Sequence, residues 1–281
     1  MEVALPAIGR PIAEEPGLLE GLDRAEAAKL QEALAQACSR VGVYDRPVGE
    51  ILRTEDGLMV AGLDCAYALA RRDERRVEVV VGAAAVVRLR PRCSQSHHGN
   101  RIATRETVGQ RRAKVAQPHW SAHSEVEGVQ ELVVTAFSDP HETVAYQPGY
   151  LFLREGPAMV EAARSAMRYT PRPLHVLIVD GAGQAHPRTF GLACYVGAAL
   201  GVASIGITKT PPPAPGGFVE LRADPARKPI YVSAGYGLSI DMAVELTRLL
   251  CARGRRLPEP IRVAHTLASQ RARSIANLRQ P

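Results

Sequence analysis

Apolar and polar positions divide the chain into recognisable periods. Residues 24–39, RAEAAKLQEALAQACS, carry Ala and Leu at helical spacing, which predicts an amphipathic helix packed outside the core. Two β-rich runs follow, LMVAGLDCAYAL (58–69) and RVEVVVGAAAVVRL (76–89), and predict an antiparallel pair. QELVVTAF (130–137) extends that sheet, and a helix is expected from about residue 153 to 168. HVLIVD then reads as a short buried strand bounded by Pro173 and Gly181, TFGLACYVGAALG as a helix, and VASIGITK and PIYVSAG as two more buried strands. SIDMAVELTRLLCARG predicts a helix ended by Gly254, and IRVAHTLASQRARSIAN a closing basic helix. Antiparallel strands followed by strand–helix alternation imply a mixed α/β plan. The expected organisation is an N-terminal extension and helix (1–57), a single domain (58–268) and a basic C-terminal tail (269–281).

Residues 90–129 show no sustained period and read as an irregular insertion between strands. They hold four of the eight histidines and the only tryptophan. Cys93, His97, His98, His119 and His123 have spacings compatible with a Zn²⁺ site, although paired cysteines are missing. Arg101, Arg105, Arg111, Arg112 and Lys114 suit a basic arm on a phosphate backbone. A solvated loop without a dedicated role is the default.

Composition narrows the class of protein. With 281 residues, 46% hydrophobic and 23% charged, the chain has enough apolar material for one large core or two small ones. A net charge of +6 tilts it toward a polyanionic partner such as nucleic acid. The five scattered cysteines point to a reducing compartment. No apolar stretch reaches the roughly 18 to 20 residues of a membrane span, and the N-terminus lacks the layout of a signal peptide. A cytoplasmic protein without a membrane partner is expected.

Acids interrupt three otherwise apolar or structured runs: Asp64 inside the first strand, Glu155 at the start of a helix, and Asp180 at the end of HVLIV. Each has a simpler reading, as an exposed strand residue, a helix N-terminal charge and a turn former. A lone buried carboxylate nevertheless costs several kcal/mol unless a cation or donors accompany it. Carboxylates converging from separate elements suit a hard divalent cation, and metal-assisted phosphodiester hydrolysis fits a basic chain.

The blocks GLDCAYA (62–68), YQPGYLFLREGPA (146–158), IVDGAGQAHPRTFGLA (178–193), IGITK (205–209), VSAGYGLSIDMAV (232–244) and RLPEPIRVAH (256–265) occur in the order of the endonuclease V family, which the chain resembles. The resemblance implies an RNase H-like α/β fold, in which antiparallel strands continue into parallel ones in a mixed sheet flanked by helices. It implies a monomeric DNA-repair endonuclease, Mg²⁺-dependent with Mn²⁺ as a substitute, that recognises deoxyinosine. Cleavage falls 3′ to the lesion, at the second phosphodiester; inosine-containing RNA is an alternative substrate, and a lesion-binding protein with weak or absent cleavage an alternative function. Asp64, Glu155 and Asp180 align with metal-binding carboxylates, and His186 and Lys209 with polar residues near the scissile phosphate. Tyr146 and Pro148 fall in a wedge segment; Gly149, Leu151, Gly181 and Gly191 align with the pocket for the extruded base. The chain departs from the family in three places, the largest being the insertion at 90–129, where relatives have a short connection. Tyr236 stands where a histidine near the metal is usual, with Asp241 as a compensating acid or a helix cap. The wedge opens with Ala145 instead of proline.

Overall fold

In the computed structural model, which describes residues 22–43, 48, 57–72, 75–91, 128–214 and 216–277, strand alternation sorts side chains onto two buried faces of one sheet. The elements in chain order are α1 (Arg24–Ser39), β1 (Leu58–Arg72), β2 (Arg75–Pro91), β3 (Gly128–Phe137), β4 (His141–Glu142), α2 (Leu151–Met167), β5 (Val176–Asp180), α3 (Leu192–Leu200), β6 (Ala203–Thr208), β7 (Phe218–Leu221), β8 (Ile230–Ala234), α4 (Ile240–Leu250) and α5 (Glu259–Asn277). The sheet runs β3-β2-β1-β5-β6-β8-β7, with β4 beside β2. β3, β2 and β1 are antiparallel, β1, β5 and β6 parallel, and β8 and β7 antiparallel again. The expected passage from antiparallel to parallel strands is present.

In β1, the odd positions Met59, Ala61 and Leu63 join Leu177 and Val179 of β5 beneath α1, α2 and α3. The even positions Leu58 and Val60 join Val176 and Ile178 beneath α4 and the start of α5. Two close approaches set the helices on these faces. A Cβ at Gly62 would lie 2.2 Å from the Pro260 carbonyl carbon, so glycine there lets the backbone of α5 rest on β1. A Cβ at Gly82 would lie 2.3 Å from the Ala158 carbonyl oxygen, and α2 approaches β2 in the same way.

The helix over 24–39 forms as expected, started by an Asp23–Glu26 capping box. It does not lie outside the core. Ala27, Leu30 and Leu34 are buried in one cluster with Leu63 and Phe152, because the Ala/Leu stripe supplies the cover for the odd face of β1. α5 is continuous to Asn277, and its Ala272 and Ile275 pack on Ala68, Val79 and Val81, so residues 269–277 are helix docked on the sheet. Within the basic C-terminal run, Arg262 donates to Glu259 (Nε–Oε2 2.7 Å), while Arg271 and Arg273 are exposed. β4 and β7 were not foreseen; two and four residues are too short for a readable period. Residues 92–127 lie outside the described residues, and with them the suggested Zn²⁺ set and basic arm.

Candidate active site

The register between β1 and β5 determines where the acids fall. Leu63 pairs with Val179 in the parallel ladder, so Asp64 and Asp180 follow side by side on adjacent strands. Both continue the even face, the side on which α5 lies. On α5, Pro260 and Ile261 rest against Gly62, and four residues of helix rise about 6 Å. Two residues of strand advance about 6.6 Å. The match sets His265 over Asp64. Its Nδ1 lies 2.7 Å from Asp64 Oδ2, while Asp64 Oδ1 accepts from the Cys65 amide at 2.7 Å. One ligand atom each from Asp64, Asp180 and His265 falls within 4.8 Å of the others.

Asp64 is 6% exposed, and its carboxyl is pushed up to about 6, first by burial and then by the charge of Asp180. Lys209, His265 and the Cys65 amide oppose that rise. The Lys209 ammonium, just beyond β6, pairs with Asp180. Glu155, the fifth residue of α2, arrives from the other face of the sheet and stands outside this tight trio. Its carboxylate accepts from the Tyr67 hydroxyl, and the Arg154 guanidinium lies 4.5 Å over the Tyr67 ring. Burial lifts Glu155 to about 7; the Tyr67 bond opposes this, while Asp64 and Asp180 add to it. Glu155 therefore feels both other acids without sharing their donor cluster.

The donor set meets the requirements of a hard divalent cation: two neighbouring carboxylates, with an imidazole beside one and the Lys209 ammonium against the other. Buried carboxylates that repel one another resist ionisation, and a bound cation relieves that repulsion.

The remaining predicted residues lie on two loops. Tyr146 is 63% exposed and Pro148 also faces solvent, on the segment leading into α2; Leu151 opens that helix, half-buried. Gly149, at φ +83°, turns the segment inward. Its carbonyl accepts from Arg188 Nη2 at 2.9 Å and from His186 Nε2 at 3.1 Å. His186 Nδ1 accepts from the Arg188 amide at 3.2 Å, which leaves the proton on Nε2. Burial, then Arg188, lowers the pKa of His186. Both nitrogens of His186 are thus engaged, Nδ1 within its own loop and Nε2 across to the Gly149 loop, a different setting from the phosphate contact expected of it. Gly181 and Gly191 are buried inside the second loop. The space of a Cβ is filled by Leu192 in one case and by the Ala182 carbonyl oxygen in the other. Their glycine character is accounted for by loop packing.

Two expectations need correction. Position 236 is not beside the acids. The Tyr236 amide donates to Ser204 Oγ at the start of β6, whereas Asp180 pairs with Ile207 near its end, about 10 Å further along the strand. The Tyr236 phenol packs with the core cluster on the opposite face. The imidazole of the site is His265, missed although it ends the quoted RLPEPIRVAH block; its spacing of four from Ile261 was the available signal. The helix cap is Ser239, whose Oγ accepts from the Met242 amide at 3.3 Å, while Asp241 sits in the first turn of α4.

Comparison with known proteins identifies the family. The family model for endonuclease V matches residues 110–212 and 216–266, more than half of the chain. The chain belongs to the endonuclease V family. The members of that family are nucleases, a class of hydrolases. Endonuclease V of Roseiflexus castenholzii is 38% identical over 144 residues, covering 44% of this chain and 63% of that relative, somewhat under two thirds of its length. The endonuclease V structure from Bacillus subtilis superposes with a TM-score of 0.62 at 20% identity, covering 91% of this chain and 96% of the other. That of Ciona intestinalis, in complex with a 24mer DNA containing an inosine followed by a ribo-adenosine, gives 0.58 at 17% identity, covering 89% and 98%. These likenesses establish the family's RNase H-like fold for this chain. Asp64 lies outside the family-model match, and the β1–β5 register is what puts it beside Asp180. Among the described residues no helix is long and apolar enough to cross a membrane.

Proposed function

We propose that this chain is a divalent-metal-dependent DNA-repair endonuclease that cuts 3′ to a deaminated base, deoxyinosine above all. The observation carrying the reading is the convergence of Asp64, Asp180 and His265 from three elements in a member of this family. The inosine in the DNA bound to the Ciona intestinalis protein supports the choice of lesion.

Asp64 and Asp180 would hold Mg²⁺, with Mn²⁺ as a substitute, and Glu155 adds a third nearby negative charge. When bound, such an ion polarises the phosphodiester and neutralises charge developing in the displacement. His265 orients Asp64 through Nδ1, which leaves its Nε2 able to take a proton from an attacking water. Lys209 places an ammonium at the rim, suited to a non-bridging phosphate oxygen. Tyr146 presents an exposed ring on which a base can stack. His186 acts on the loop carrying that ring, through the Gly149 carbonyl.

The test is a gel assay with duplexes that differ only in one inosine, with Mg²⁺ and with EDTA. The parent should cut the inosine strand in Mg²⁺ alone, and Asp180→Ala should bind without cutting. An intact inosine strand with the parent protein, or parental cleavage by Asp180→Ala, overturns the proposal. A matched inosine-containing RNA strand, added as competitor, decides the preferred nucleic acid.

A further inference from the structure

Gln31 is a wholly buried amide on α1, among Ala27, Leu30 and Leu34, a position where a helix of this kind ordinarily carries an apolar side chain. Each of its polar atoms reaches away from α1 to a loop of the active site. Oε1 accepts from Arg188 Nε at 2.5 Å. Nε2 donates to the Phe190 carbonyl and, at 3.4 Å, to the Gly149 carbonyl. Arg188 extends the tie: its Nη2 also reaches the Gly149 carbonyl, and its guanidinium lies 4.4 Å over the Tyr150 ring. The Gly149 carbonyl thus collects donors from α1 and from the loop after Asp180, three residues beyond the exposed Tyr146.

We propose that Gln31 is a positioning residue that locks the Tyr146 loop to the loop following Asp180, and that this lock serves the opening of a base-paired substrate. The inference rests on the nucleic-acid reading given above and extends it to a residue remote from the acids. Separating a base from its stack and its pair consumes binding energy, and a base already unpaired demands less. A tip that can yield wastes that energy; a tip fixed on both sides transmits it. Asp64 on β1, Asp180 on β5 and His265 on α5 are held independently of Gln31, and Glu155 is fixed on α2 by its bond from Tyr67 of β1, so hydrolysis of an already unpaired strand does not depend on the lock.

The experiment follows base opening without cleavage. Inosine-containing oligonucleotides carrying 2-aminopurine beside the inosine are bound in EDTA, single-stranded and duplex, and followed by fluorescence and anisotropy. Gln31→Met keeps length and removes both hydrogen-bonding functions; Gln31→Glu keeps the acceptor for Arg188 and loses the donor to the two carbonyls. Thermal melts establish that each variant is folded, and the second variant serves if the first is not. Either variant should bind the duplex about tenfold more weakly, with a reduced 2-aminopurine signal, and bind the single strand within twofold of the parent. Equal weakening on both substrates would show a merely structural role and overturn the proposal, as would a parental duplex signal. Because the readout needs no cleavage, a parent that binds and opens the duplex without cutting it counts against the nuclease reading and leaves this one standing.

Discussion

Replacing Asp64 by asparagine should make the metal-free protein more stable at alkaline pH while abolishing its chemistry. The Asp64 carboxyl rises from an ordinary 3.8 to about 6 in the fold, because it is buried and Asp180 stands beside it. An acid whose folded pKa is raised stabilises the native state only while protonated. The native state therefore loses stability as pH climbs from 3.8 through about 6, and the full cost remains above that range. Two pKa units correspond to about 3 kcal/mol, of which about 1 kcal/mol has already been incurred by pH 4.5. Asparagine mimics the neutral carboxyl in size and avoids the cost: its Oδ1 keeps the Cys65 amide bond, and its Nδ2 donates to His265 Nδ1 in the other tautomer. At about 2–4 °C per kcal/mol, Asp64→Asn should raise the melting temperature by roughly 5–10 °C at pH 8 in EDTA, and by much less at pH 4.5. Differential scanning calorimetry of parent and variant at the two pH values measures this. Saturating Mg²⁺ at pH 8 should stabilise the parent more than the variant and narrow the gap. A variant that melts at or below the parent at pH 8 in EDTA, or gains equally at both pH values, refutes the account of a buried acid held above its ordinary range.

Other expectations follow from single contacts. Gly62→Ala drives a methyl into the Pro260 carbonyl, and overpacking of about 1–3 kcal/mol should lower the melting temperature by several degrees; because the same contact sets His265 over Asp64, cleavage should fall more than binding. An unchanged melt would show that α5 does not rest on β1 through this glycine. Tyr146→Ala removes an exposed stacking surface and should weaken binding to an inosine duplex by about 1–3 kcal/mol, read by anisotropy in EDTA, without altering the melt. Tyr236→His should leave the cleavage rate within twofold, since this position faces Ser204 and the other side of the sheet; a large gain would place it in the chemistry after all.

Much of this molecule was legible in its sequence because helix and strand periods are local. The α1 boundaries, the β1–β2 pair, the buried β5 and the succession of α/β elements all follow from spacing within windows of ten to twenty residues. The acids stood out for the same reason: charge inside an apolar run demands a partner. What spacing leaves open is which partner arrives. Asp64 and Asp180 become neighbours through a strand register between segments more than a hundred residues apart, and His265 reaches Asp64 across 201 positions because glycine at 62 admits the backbone of α5. Gln31 reads as one polar residue in an Ala/Leu stripe until the fold brings two loops to it. The sequence by itself thus determined the long elements, the alternation of faces within them and the chemistry available. Only tertiary packing decided the register and the close approaches, since those depend on how distant surfaces fit and leave no periodic trace along the chain.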